Sequence, residues 1–146
     1  MKTAENRSKK LRNQKGSAVI EFGLGGTMLL LFLFGTADFG RLFYYSIEVA
    51  NAAAAGAYYG TLKSSNMADT SGISSYAKQE APDISNLSVS SSEVCQDSSG
   101  NSEDCGTAGA YKYVQVTASY TFNTLFSYPL IPPSVSLSNT VIMRGQ

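Results

Sequence analysis

From Phe22 to Ala37 no charged residue interrupts the chain, and the wider window Ser17–Ala37 carries one charge, Glu21, in an otherwise predominantly apolar run. A bilayer is crossed by about 20 such residues, so this window predicts a membrane span, taken here as about 18–38. The pattern continues beyond it. Phe39, Leu42, Phe43, Ser46, Ile47, Ala50, Ala53, Ala54 and Ala57 recur at three- and four-residue steps, with Arg41, Glu48 and Asn51 between them. One helix carrying an apolar stripe requires such spacing. A continuous helix from Ser17 to about Tyr59 would be about 65 Å long, with Gly60 as its stop signal. A helix that breaks near Gly40 and restarts is the alternative, and the glycines Gly23, Gly25 and Gly26 are a second soft point.

Beyond Gly60 the period changes. Residues 64–104 are rich in Ser, Asn and Asp, with a short amphipathic piece around Ile73, Tyr76 and Ala77 that predicts about two helical turns, ended by Pro82. Leu87 and Val89 alternate with serines as a first strand would. In "YKYVQVTASYTF" Val114, Val116, Ala118, Tyr120 and Phe122 take one face, and Gln115, Thr117, Ser119 and Thr121 the other. "SVSLSNTVIM" repeats the alternation with Val135 and Leu137 against Ser134, Ser136 and Ser138, and the proline-rich "SYPLIPP" between the two runs cannot be interior strand. The expected fold class is α+β: a long N-terminal transmembrane α-helix, then a small antiparallel β-sheet head with one short helix and a disulfide-closed loop. The sheet would bury its apolar face against the long helix.

Charge changes this picture only at the N-terminus. Among residues 1–16, Lys2, Arg7, Lys9, Lys10, Arg12 and Lys15 face Glu5 alone, a net +5, and the five cations and ten acids of the remainder leave −5. A cationic block directly before a span holds its own end in the cytoplasm, so the segment after about Arg41 should lie outside. DNA binding is not needed to explain the block. A cleaved secretory signal competes with the anchor reading, but the apolar run ends in Asp38-Phe39-Gly40-Arg41 without a small-x-small cleavage site.

Candidate chemistry is sparse. Histidine is absent, which removes the commonest general base and metal ligand. The many serines have no Gly-x-Ser-x-Gly elbow and no Ser/Lys constellation beside them, so no enzymatic activity and no cofactor are expected. Cys95 and Cys105 lie in a polar loop, where a metal site would lack two ligands. A disulfide is the more natural reading, and it points to an oxidising compartment. Asp97, Asn101, Glu103 and Asp104 offer oxygen ligands in the same loop, but their spacing departs from an EF-hand and reads more simply as a solvated acidic loop.

The acid inside the apolar run calls for an explanation, because a carboxylate at the bilayer centre costs about 2.5–3.5 kcal/mol on insertion scales. Two readings stand. Glu21 sits at headgroup level near a helix start, or it pairs with the α-amino group exposed by a cut between Gly16 and Ser17, in the same chain or a neighbouring one.

The segment "KGSAVIEF" resembles the cleavage site of the type IV pilin superfamily. With "GTADFGRLFYYSIEVANAAAAGAYYG" it is similar to the TadE-like minor pseudopilins of the tight adherence (Tad/Flp) pilus system. Asp38, Phe39, Gly40 and Arg41 fall where that family has an acid, Phe, Gly and Arg after the span, with Asp in a place where Glu is commoner. The Cys pair and the closing Met143-Arg144 also fit. The resemblance implies a basic leader (residues 1–16) removed by a prepilin peptidase at Gly16/Ser17, with methylation of the new amine. It assigns Glu21 as the assembly carboxylate and Phe22 as its aromatic neighbour. The mature chain would then comprise a hydrophobic, then amphipathic helix (17–60) and an extracytoplasmic α+β head (61–146). Implied partners are the peptidase, other pilins or pseudopilins and the inner-membrane assembly platform, with no nucleic acid. The protein would assemble or prime an adhesion pilus from a single-pass position in the cytoplasmic membrane. The competing function is an uncleaved, membrane-anchored adhesin or envelope scaffold whose exposed Tyr111 and Tyr113 form a binding surface.

Overall fold

The computed structural model describes residues 2–126 and 132–145, with side chains from Gly16 onward. The element order is α1 (Lys2–Thr61), a 3-10 turn (Ser64–Asn66), α2 (Thr70–Gln79), β1 (Ser88–Gln96), β2 (Ser102–Glu103), β3 (Tyr111–Asn123) and β4 (Ser134–Arg144). Residues 127–131 of the proline-rich connection lie outside the described residues. The chain forms two compact units, Met1–Gly40 and Arg41–Gln146.

In the first unit α1 begins at Lys2, not at Ser17 as the pattern suggested. Most of the leader is Ala, Glu, Arg, Lys, Leu and Gln, which are good helix formers, and it has no proline to outweigh them. The helix is unbroken through Gly23, Gly25, Gly26 and Gly40, so the alternative of a break at Gly40 is not realised. Residues Gly16–Thr61 form a helix long and apolar enough to cross a membrane.

The second unit is an antiparallel sheet of order β2-β1-β3-β4 with the last turns of α1 and the whole of α2 on one face. β1 pairs Ser88–Gln96 with Ser119–Tyr111, and β4 pairs Ser134–Arg144 with Asn123–Tyr113, both without a bulge. The alternation read for β3 holds: Val114, Val116, Ala118 and Phe122 are buried and Tyr120 is half-buried. One core cluster joins Val49, Ala52 and Ala53 of α1 to Ala77, Ala81, Ile84, Leu87 and Ala118. A second joins Ala57 to Ile73, Val114 and Val116. The opposite sheet face carries Ser90, Thr117, Ser119, Ser138 and Thr140, with Thr117 Oγ1 and Thr140 Oγ1 2.8 Å apart.

The helix stripe requires correction. Ala53 and Ala57 are buried as expected, but Phe43 and Ile47 are 66% and 60% exposed, and Phe39 is exposed too. The buried face runs through Val49, Ala52, Ala53, Gly56, Ala57 and Gly60. Small residues win this face because the backbone comes close to the sheet. A Cβ on Gly60 would stand 2.9 Å from Val114 Cγ2, and one on Gly56 3.2 Å from both Ile73 Cγ2 and Val116 Cγ1. Gly60 is therefore a packing residue inside α1, which ends at Thr61, and not a left-handed cap.

Helix α2 matches the short amphipathic piece and buries Ile73 and Ala77. Asp69 caps its N-terminus by accepting from the Gly72 N–H at 2.9 Å, which satisfies a donor the helix cannot use internally. The Ser71 hydroxyl and the Tyr59 hydroxyl donate to the same carboxylate, at 3.0 and 3.1 Å. Tyr59 thus ties the cap to α1.

Candidate processing and assembly helix

The residues expected to carry processing stand at the start of the apolar part of α1. Gly16 has open space where a Cβ would project. Ser17 and Glu21 are both exposed and lie one helical turn apart, about 6 Å along the axis. Phe22, next to Glu21, is 82% exposed. The junction, carboxylate and aromatic therefore occupy one accessible stretch of helix.

Beyond it Leu24, Met28, Leu29, Leu30, Leu31, Phe32 and Leu33 are all exposed, and none of the most apolar window is covered by the rest of the chain. So much uncovered apolar surface is stable only in lipid or against another apolar surface. The two hydroxyls in this region are adapted to such surroundings. Thr27 Oγ1 donates to the Gly23 carbonyl and Thr36 Oγ1 to the Phe32 carbonyl, each at 2.8 Å. Each hydroxyl is satisfied four residues back within the helix, at no demand on water.

The four residues after the span divide in role. Asp38 is almost fully buried, at 5% exposed, whereas Phe39 is exposed and Gly40 has open space around it. Arg41 lies over the Phe122 ring, 5.1 Å from its centroid, and within 5.9 Å of that of Tyr45. Tyr45 also packs on Tyr120 and Phe122. Arg41 is therefore a packing cation that closes the Phe122 end of the sheet, a role worth about 0.5–2 kcal/mol per aromatic contact. The sequence reading singled it out as a motif residue and missed its stacking. The four-residue spacing of Arg41 and Tyr45 on a helix was the available signal.

A second missed contact is Tyr44, whose hydroxyl donates to Asp83 Oδ2 at 2.6 Å. The hydrogen bond to the Asp83 carboxylate, above all, pushes the Tyr44 phenol up to about 12. The Asp69 hydrogen bond likewise raises Tyr59. Asp69 itself is held below the usual carboxylate range, first by the Gly72 N–H and then by the Ser71 and Tyr59 hydroxyls.

At the far end of the head a disulfide joins Cys95 to Cys105, with 5.1 Å between the Cα atoms. The acids of the loop it closes do not converge as a set. Asp97 accepts from the Asn101 side chain at 2.9 Å and from the Ser99 and Asn101 N–H groups at 2.8 Å. These bonds, led by that of the Asn101 side chain, lower its pKa. Glu93 pairs with Lys112 at 2.7 Å. Tyr111 lies under the Arg144 guanidinium, 4.1 Å from ring centroid to Cζ, so one of the two tyrosines offered as a binding surface is engaged within the head.

Residues 16–57 match the family model described as TadE-like protein. No curated protein and no solved structure matches the chain. The matched segment contains Gly16 and Ser17, Glu21, the exposed apolar run, the Asp38–Arg41 motif and the small residues under the sheet as far as Ala57. Residues 16–57 are thus similar to the TadE-like family over the stretch that, among the described residues, also carries the helix long and apolar enough to cross a membrane.

Proposed function

We propose that this chain is a pseudopilin, made as a precursor and cut between Gly16 and Ser17 by a prepilin peptidase. Its helix then holds it in the cytoplasmic membrane until it takes part in assembling or priming a Tad/Flp-type adhesion pilus. The basic leader stays in the cytoplasm and the disulfide-closed head lies outside. The observation that carries this reading is the accessible run of Gly16, Ser17, Glu21 and Phe22 at the head of an uncovered apolar helix, inside the TadE-like segment. Cleavage creates an α-amino group one helical turn from Glu21. In lipid, the amine of one subunit and the carboxylate of the next each relieve the other's desolvation, which sets an axial register between subunits. The role is one of assembly and involves no catalysis.

Co-expression with the cognate prepilin peptidase, followed by intact-mass measurement and N-terminal sequencing, tests it. The expected product starts at Ser17, and Gly16→Ala abolishes it. That substitution meets no steric obstacle within the chain, so its effect reports on the peptidase and not on folding. A chain that keeps its leader beside an active peptidase overturns the proposal and leaves the uncleaved envelope anchor.

A further inference from the structure

The two edges of the sheet are finished differently. At one edge β2 is only two residues long, paired through Cys95–Glu103 and Gln96–Ser102 beside the disulfide. At the other, β4 presents eleven residues in unbroken register, and among the described residues no strand lies beyond it. Sheet edges are ordinarily protected by a short strand, a bulge, a proline or an inward-pointing charge. The first edge is short. β4 has none of the four: its single charge, Arg144, points outward over Tyr111.

The core is also unfinished at this edge. On β3 the inward Val114, Val116 and Ala118 are fully buried, while on β4 the inward Val135, Leu137, Val141 and Met143 are only half-buried. A neighbouring strand laid along β4 would complete both the hydrogen-bond ladder and the burial.

We propose that β4 pairs with β4 of a second copy of this chain, antiparallel, about a two-fold axis at Asn139. The choice of occupant and register follows from complementarity. Asn139 is the one polar side chain among the inward positions of β4, and it is the middle residue of the strand. A dyad there sets it against its own copy, amide to amide, with Leu137 opposite Val141 and Val135 opposite Met143. Moving the dyad by one residue sets Asn139 against Leu137 or Val141 and leaves an amide facing an aliphatic chain. On the outward face the same register places Arg144 against Ser134, so no like charges meet. The product is a continuous sheet through both heads, the general mode of strand addition at an open edge. It does not depend on leader cleavage.

Single cysteines in the full chain, oxidised in membranes and resolved on non-reducing gels, test the pairing. Directly opposed residues lie about 4.5–5.5 Å apart between Cα atoms, a span a disulfide accepts. Two copies of position 135 would be about 27 Å apart along the paired strands. The expected result is covalent dimer for Asn139→Cys at least tenfold above Val135→Cys or Met143→Cys alone, together with efficient linkage when the last two variants are mixed. Equal linkage at all positions, no linkage at any, or self-linkage at position 137 or 141 in place of 139 overturns the proposal. Should Asn139→Cys fail to accumulate, the mixed Val135→Cys and Met143→Cys pair decides alone. Asn139→Lys places like charges at the dyad and should abolish linkage of the mixed pair while the Cys95–Cys105 bond, read by intact mass, stays formed.

Discussion

Between Gly16 and Gly40, α1 carries its large apolar side chains in the open; between Arg41 and Thr61 it buries its small ones. Phe22, Met28 and Phe32 are each more than three-quarters exposed, whereas Ala52, Ala53 and Ala57 have no exposed surface at all. One helix thus serves two solvents. In the first stretch bulky residues maximise the apolar area offered to lipid or to other helices. In the second, alanine and glycine let the backbone lie close to the sheet, and the bulk of the core comes from Ile73, Val114, Val116 and Phe122 across the interface. Size, not hydrophobicity alone, assigns a helical residue to a face.

The contrast is open to direct attack. Phe122→Ala should cost the head about 3–5 kcal/mol through lost packing and a cavity, together with the stacking of Arg41, and leave membrane fractionation unchanged. Leu31→Arg should do the reverse, costing about 2.5–3.5 kcal/mol of insertion if the residue reaches the bilayer centre, with no change in the unfolding midpoint of the head. Denaturant titration in detergent and carbonate extraction of membranes separate the two. If either substitution moves both readouts, the two stretches are not independent.

Glycine gives a finer comparison. Gly25→Ala enters open space and should stabilise the helix by about 1 kcal/mol. Gly60→Ala gains the same propensity but drives its Cβ against Val114, at a cost of about 1–3 kcal/mol for overpacking. Thermal unfolding of the head should therefore fall for Gly60→Ala only.

The smallest effect is ionic. Tyr44, raised to about 12 by its hydrogen bond to Asp83, ionises after the tyrosines of the unfolded chain. Its contribution to stability is complete below pH 10, where neither state is ionised. It is lost as pH climbs from 10 through about 12, because the unfolded state ionises first. Tyr44→Phe should remove one late component from the phenolate absorbance titration and flatten that loss. An unchanged titration would place the Tyr44 hydroxyl outside the Asp83 contact in solution.

Several features were legible in the sequence because their cause is local. The alternation of Val114, Val116 and Ala118 announces a half-buried strand whatever lies beside it. The run from Ser17 to Ala37 is long and apolar enough for a span, and the cysteines Cys95 and Cys105 close a loop too short to need the rest of the fold. Gly16, Glu21 and Phe22 stand in a short linear pattern, and the TadE-like match begins on that same stretch. The helix face was not legible. Residues 52–55 are four consecutive alanines, alike on every side, and the conspicuous Phe43 and Ile47 drew the stripe toward a face the sheet does not use. Gly60 read as a stop because the chain alone cannot tell a glycine required by φ from one required by a neighbour.

The sequence by itself determined the apolar stretch of α1, the short helix α2, the alternating strands β3 and β4 and the closed loop, since periodicity, length and turn chemistry act over a few residues, but not that α1 starts at Lys2. The tertiary structure alone decided which side of α1 meets the sheet, that Arg41 stacks on Phe122, and that β4 ends the sheet with its inward row half-covered. Each of those depends on how closely two backbones approach, a distance set by side chains far apart in the chain.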